Sequence, residues 1–255
     1  MLFSVASLVL LAAEVAPAWA HPAPNPIEMI RRAPNPGVVY TKCARPNTLA
    51  LAFDDGPYQY TQRLVDILNA AGAKATFFFT GTLYGCIYNQ ASAVRNAYNS
   101  GHQISSHTWT HANLGNLQGN AITQEMQRLE QAFVNIFGKK PAYMRPPYLA
   151  TGGQVLNTMR SLGYKVITND IDAGDWNGKS PQQSQSEFTR AGAGGNGHIP
   201  LMHETYQGTV EVLVPWLINW AKQNNLALVT VADCLGDSGG AYQPGNFQGN
   251  GQNRC

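Results

Sequence analysis

From Leu49 onward the chain alternates short apolar runs of strand length with longer helical patterns, and this alternation restricts the fold more than any other feature. Runs at residues 49–53, 75–80, 102–105, 142–145, 165–168, 199–203 and 226–231 read as strands. Between them, residues 61–71, 91–99, 122–137, 153–162, 181–191 and 210–223 read as helices. The row Ile122, Met126, Leu129, Phe133 and Ile136 keeps the three-and-four spacing of a helix with one buried face. Strands separated by helices return the chain to the same end of a sheet each time, so the sheet must be parallel.

A parallel sheet is either open or closed, and the two place function differently. Here the polar clusters fall after many different strands: Asp54-Asp55 after the first, Ser106-His107 after the third, Arg145 to Tyr148 after the fourth, Asp170 to Trp176 after the fifth, and His203 at the end of the sixth. That distribution suits a barrel, whose active residues gather at one rim, whereas an open sheet collects its ligand at one switch point. No Gly-rich phosphate loop follows the first strand. The expectation is an α/β fold, a distorted barrel of about seven parallel strands.

The clusters themselves suggest chemistry. Asp54 and Asp55 are neighbouring carboxylates at the end of an apolar strand that Gly56-Pro57 breaks, and such a pair repels unless a cation or a shared proton lies between. His107 and His111 stand four apart, so on one helical turn both rings would face the same way at metal-ligand spacing. Two imidazoles plus the Asp55 carboxylate leave positions for water and substrate, the pattern of a hydrolytic divalent-metal site; zinc (Zn2+) suits these donors first, and cobalt (Co2+) or nickel fits the same set. Arg145, ahead of two prolines, would hold a carboxylate by a two-point contact. Asp172 and Asp175 accompany Trp176, an aromatic beside carboxylates as a sugar-ring face requires. His203 ends an apolar strand and, facing the same mouth, is a candidate acid.

With 255 residues, 44% of them hydrophobic, one large core is affordable, and one domain is expected. A formal net charge of +2 with 13% charged residues and no Lys/Arg cluster beyond two pairs argues against a nucleic-acid partner. Residues 1–20 form a short apolar run closing on Ala18-Trp19-Ala20, read as a secretory signal with cleavage after Ala20; Glu14 and Pro17 interrupt it too early for a membrane anchor. Four cysteines in an oxidising compartment imply two disulfides. Three pairings are open; Cys43 before the first expected strand and Cys234 after the last favour a clasp, which leaves Cys86 for Cys255.

Taken together, Phe53-Asp54-Asp55-Gly56-Pro57, His107-Thr108-Trp109-Thr110-His111, Arg145-Pro146-Pro147-Tyr148, Asp172-Ala173-Gly174-Asp175-Trp176 and Leu201-Met202-His203 resemble the five ordered motifs of the polysaccharide deacetylases, the NodB-homology enzymes of carbohydrate esterase family four. Within the family the chain is most similar to the secreted fungal chitin deacetylases. The resemblance covers residues 50 to about 232. It implies a NodB-like barrel that uses a divalent metal to remove N-acetyl groups from N-acetylglucosamine units of chitin or chitooligosaccharides, releasing acetate. It implies Asp54 as general base, Asp55, His107 and His111 as metal ligands, and His203 as general acid. Arg145 would orient Asp54, Asp175 would tune the Arg145 and His203 pair, the Tyr148 backbone N–H would stabilise the oxyanion, and Trp176 and Leu201 would wall the acetyl methyl pocket. Two departures stand out: Ala52 where the family usually carries Thr or Ser, and Asp170 and Asp172 crowding Asp175, so that Asp172 competes for its role.

The domain map that follows is a signal at 1–20, an extended segment at 21–42 with a second processing option after Arg32, a polysaccharide deacetylase catalytic domain at 43–235, and a Gly/Asn/Gln-rich tail at 236–255 pinned by Cys255. A secreted monomer, extracellular or in the cell wall and free of membrane once the signal is removed, is expected. The motifs specify the acetyl group and not the sugar, so peptidoglycan or acetylxylan stays open as substrate. So does an inactive chitin-binding barrel. A glycosidase using Asp54 and a second carboxylate would make new reducing ends without acetate.

Overall fold

The computed structural model of the chain describes residues 33–195 and 197–255. The expected signal at 1–20 and the Arg31-Arg32 processing point lie outside the described residues.

The strands are β1 (Val39–Tyr40), β2 (Thr48–Leu49), β3 (Ala52–Asp54), β4 (Thr76–Phe79), β5 (Gln103–Ser106), β6 (Tyr143–Met144), β7 (Lys165–Ile167), β8 (Ile171–Asp172), β9 (Pro200–His203) and β10 (Ala227–Leu228). The helices are α1 (Thr61–Ala70), α2 (Ala91–Asn99), α3 (Gly119–Phe137), α4 (Val155–Leu162), α5 (Pro181–Ala191), α6 (Val214–Gln223) and α7 (Val231–Cys234). Eight strands form one sheet in the order β1-β7-β6-β5-β4-β3-β9-β8, every pairing parallel, while β2 and β10 pair separately. The expected distorted parallel barrel is present as a curled half-barrel with β1 and β8 at its edges.

The period of two along each strand explains the two layers of core. Leu49, Leu51 and Phe53, with Phe77 and Phe79, join the cluster that α1, α2 and α3 cover through Leu64, Val94 and Phe133. Ala50, Ala52 and Phe78 point the other way, into an inner cluster closed by Val231, Ala232 and the Cys43–Cys234 disulfide. Ala52 is thus a small, fully buried filler of the inner layer. Asp54 shares its parity and ends up inside. In α3 the row Ile122, Met126, Leu129, Phe133 and Ile136 is buried throughout, and Gly138 stops the helix in the left-handed conformation, φ 76°. Ser180 and Gln183 start α5 with a capping box ahead of Pro181.

Three expectations change. Of the extended segment expected at 21–42, residues 33–42 are described, and there Val39 and Tyr40 pair with Val166 and Ile167, adding an edge strand where a bare lead-in was expected. The run 226–231 is strand only at Ala227–Leu228; the Thr230 hydroxyl accepts the Asp233 N–H at 3.1 Å and starts α7 instead. Residues 209–213 form a π turn that leads into α6 rather than its first α-helical turn. Both expected disulfides are formed, Cys43–Cys234 and Cys86–Cys255. The tail is stitched back by Ala142 N–H to Ala241 O and Gln243 N–H to Lys140 O, each 2.9 Å.

Candidate active site

Asp54 ends β3 on its inner face, nearly buried, and its Oδ1 accepts from Arg145 Nη1 at 2.8 Å. Arg145 follows β6 and is fully buried; its Nη2 donates to Thr168 O at 2.8 Å and Pro200 O at 3.2 Å, and its guanidinium lies 4.7 Å from the Phe78 ring centre. The expected two-point contact with a carboxylate is therefore a one-point contact, because the other arm of the fork ties β7 and β9 together.

The next residue turns away. Asp55 has φ 74°, so its carboxylate leaves the strand direction and meets two imidazoles, with Oδ1 3.4 Å from His107 Nε2 and 3.2 Å from His111 Nε2. Burial pulls the Asp55 carboxyl upward, and the His107 and His111 rings outweigh it and hold it well below the usual carboxylate range. His107 follows β5 and its Nδ1 lies 2.6 Å from Arg145 O, which fixes the ring so that Nε2 faces Asp55. The two histidines are not on a helical turn, contrary to the spacing argument. The loop between them instead bends through Thr108 at φ 70° and His111 at φ 61°. Trp109 plugs it into the fold against Gly81, where an added Cβ would strike the indole, and Glu125 accepts from Thr110 N–H at 2.7 Å.

Of the seven described non-glycine residues with positive φ, five are Asp55, Thr108, His111, Tyr148 and Leu149, all at this mouth. Backbone strain of this kind persists where surrounding structure enforces it, and here it aims the side chains. Asp55, His107 and His111 bring ligand atoms within 4.8 Å of one another, and Asp55 Oδ1 is buried without a hydrogen-bond partner. An orphaned buried carboxylate oxygen beside two Nε2 atoms fits a divalent cation, so these three residues could hold one.

His203, the last residue of β9, is oriented from behind. Its Nδ1 lies 2.8 Å from Asp175 Oδ1, its backbone N–H donates to Asp175 Oδ2 at 2.8 Å, and its Nε2 comes within 4.0 Å of Asp55 Oδ2. Burial opposes its charge, but Asp175 foremost, then Asp54 and Asp55, push the imidazole up to about 9. The two competing carboxylates differ in their contacts: Asp175 is buried beside His203 and braced by Thr209 Oγ1 at 2.8 Å, while Asp172 is exposed and accepts from Trp176 Nε1 at 3.2 Å. Asp175 touches His203, whereas the polar contacts of Arg145 go to Asp54, Thr168 and Pro200.

A cavity of about 510 Å³ opens over this set, walled by Tyr148, Trp176 and Leu201 with Asp54, Asp55, His107, His111 and His203 at its floor. Tyr148 is 69% and Trp176 53% exposed, so both rings are free to meet a ligand. Tyr206 also lines the cavity and was missed, although an aromatic three residues past a strand-end histidine was visible in the sequence. Thr209 was missed because nothing in its local sequence points at Asp175.

A parallel sheet that delivers carboxylates and imidazoles from separate strands to one mouth, with an arginine buried behind them and side chains able to hold a cation, defines an α/β-barrel hydrolase. Comparison with known proteins narrows that class. The model of the polysaccharide deacetylase family matches residues 41–167. The chain is 44% identical over 216 residues to a chitin deacetylase of Pestalotiopsis sp, spanning 84% of this chain and 72% of that protein. It is 43% identical over 204 residues to a probable peptidoglycan-N-acetylglucosamine deacetylase of Arthroderma benhamiae, spanning 79% of this chain and 47% of that protein. The solved structure of the chitin deacetylase from Colletotrichum lindemuthianum matches with a TM-score of 0.78 at 33% identity, over 82% of this chain and 96% of that one. The chain belongs to the polysaccharide deacetylase family.

Proposed function

We propose that the protein is a secreted, metal-dependent chitin deacetylase that hydrolyses the N-acetyl groups of N-acetylglucosamine units in chitin or chitooligosaccharides to acetate and glucosamine units. The observation that carries this reading is the flanking of one Asp-His-His set by two oriented dyads. Asp54 with Arg145 lies on one side, its Oδ2 3.9 Å from His107 Nε2, and His203 with Asp175 lies on the other. A chitin deacetylase among the relatives supports the substrate class. Two disulfides support an oxidising destination.

An amide carbonyl is a weak electrophile and an amine a poor leaving group, so hydrolysis needs polarisation, a base and a separate acid. A divalent cation held by Asp55, His107 and His111, zinc before cobalt on this donor set, would polarise the acetyl carbonyl and activate water. Asp54, oriented by Arg145, takes the proton of the attacking water. The backbone N–H of Tyr148, a residue that lines the same cavity, would steady the oxyanion. His203 then donates from Nε2 to the departing nitrogen, Asp175 holding the Nδ1 side and stabilising the charged ring. Trp176 and Leu201 close around the acetyl methyl, and Asp172 fixes the indole through its Nε1.

The same site suits the acetamide of peptidoglycan, which the name of one relative specifies. Acetate release should be measured on chitin oligomers, peptidoglycan and acetylated xylan, with and without chelation. Release from chitin oligomers that chelation stops and a divalent ion restores is the expected result. Release confined to either other polymer would replace the substrate, and new reducing ends without acetate would replace the reaction.

A further inference from the structure

Directly after His203 stands Glu204, a carboxyl that the mechanism above does not use. It is completely buried at the junction of β9, α1 and the loop that follows β3. Its Oε1 accepts from the hydroxyl of Thr61, the first residue of α1, and that hydroxyl in turn accepts the Tyr58 N–H at 2.8 Å. Its Oε2 is buried with no hydrogen-bond partner, and no described cation pairs with it. On its other side Glu204 fills the space against Gly56: a Cβ added at Gly56 would run into Oε1 and Cδ. From the opposite direction Thr80 clamps the same loop, its N–H reaching Gly56 O at 2.6 Å and its hydroxyl Asp55 O at 3.3 Å.

The left-handed Asp55 is therefore held between two supports, Thr80 on the β4 side and Glu204 on the β9 side. We infer that Glu204, through Thr61 and the close packing on Gly56, is a positioning residue that holds the Asp55 carboxylate toward His107 and His111. This rests on the reading of Asp55, His107 and His111 as metal ligands.

Chemistry makes the neutral acid the occupant of this site. A carboxylate without a cation, with one oxygen unpartnered and with Asp54 and Asp55 nearby, is far more costly to bury than a carboxylic acid. Burial, reinforced by those two carboxylates and only partly offset by the Thr61 hydroxyl, pushes Glu204 up to about 8. What the strut supplies is then shape and one accepting oxygen, both of which a glutamine amide retains. Removing the side chain instead opens space beneath Gly56 and frees the turn at Asp55. Partners that orient metal ligands typically contribute about 10–100-fold in affinity.

The test is titration of the metal-free protein with Co2+, followed by calorimetry and by the absorption of the bound ion, alongside thermal unfolding of each metal-free variant. Glu204→Gln is expected to bind within about twofold of the unaltered protein, whereas Glu204→Ala is expected to weaken Co2+ about tenfold or more. Thr61→Val, a gentler change should the alanine variant fail to fold, is expected to weaken binding several-fold. Adding Thr61→Val to Glu204→Ala should produce little further loss, since both act on one link. Variants that lower the melting temperature yet bind Co2+ as the unaltered protein does would reduce Glu204 to a packing residue and overturn the inference. So would a Glu204→Gln loss as large as that of alanine, because a charge would then be required. An unaltered protein that takes up no Co2+ would overturn the ligand assignment itself, a distinct outcome.

Discussion

Arg145 Nη1 lies 2.8 Å from Asp54 Oδ1 in the interior of the curled sheet, the arginine closed off from solvent and the carboxylate exposed only at the cavity floor. Its remaining arm is committed to two backbone carbonyls and its face to Phe78, so the arginine is at once part of the core and part of the site. Deleting one member of such a pair strands the other charge. Arg145→Ala is expected to lower unfolding free energy by about 3–5 kcal/mol in urea denaturation, and to abolish acetate release. A loss below about 1 kcal/mol would mean that water replaces the guanidinium.

Asp54 and Asp55 are adjacent, yet the first follows the strand into the Arg145 pocket and the second turns at φ 74° to the histidines. Asp54→Asn should therefore retain metal content near that of the unaltered protein while turnover falls about a hundredfold or more. Asp55→Asn should lose metal first, with activity partly restored at high metal concentration. Metal content and acetate release on both variants decide the matter; an empty site in Asp54→Asn and a filled one in Asp55→Asn would reverse the roles.

His203 gives the pH dependence its alkaline limb. Burial alone would lower its pKa, and Asp175, Asp54 and Asp55 together raise it to about 9. As an acid it must be protonated, so activity should hold through neutral pH and fall as pH passes the folded value. A cation on Asp55 offsets part of the raising charge, which places the limb of the loaded enzyme below about 9, with Asp175 still supporting it. Asp175→Asn should move the limb to lower pH in kcat/KM profiles. The sign for stability is the same: the raised pKa contributes stability present in full below the unfolded value near 6.5, and loses it as pH rises through about 9.

Metal binding to the folded chain alone should raise the melting temperature in proportion to the logarithm of metal concentration, about 4 kcal/mol at a thousandfold excess over Kd. Calorimetric scans with graded Zn2+ or Co2+ should show this shift, and His111→Ala should largely remove it. A shift unchanged in His111→Ala would place the ion elsewhere.

The Cys43–Cys234 disulfide closes a loop of 191 residues and ties the start of the barrel to its end, so its loss should be felt by the whole fold. Cys43→Ser with Cys234→Ser should cost about 2–5 kcal/mol in unfolding free energy. Cys255→Ser, which releases the tail from Cys86, should cost less. Equal losses for the two would show that the tail is a full part of the core.

What the sequence determined by itself was the alternation of elements and the identity of the polar residues at strand ends. Both are written in local periodicity: α2 and α5 occupy the expected residues 91–99 and 181–191, and Asp54, Asp55, His107 and His203 all line one mouth, with Arg145 buried behind Asp54. Edge strands β1 and β8 were not legible, because two residues carry no period and their pairing partners, β7 and β9, lie far away in the chain. The same limit applies within the site. Whether Asp172 or Asp175 holds His203, that Arg145 spends one arm on Thr168 and Pro200, and that Glu204 sits under Gly56 are contacts across 23 to 148 residues of sequence. Spacing alone also made the two histidines a helical pair, when backbone strain at Thr108 and His111 brings them together. Residue type and periodicity are local properties of the chain; direction, burial and partner are decided only when the parallel sheet curls and brings separate strand ends to one rim.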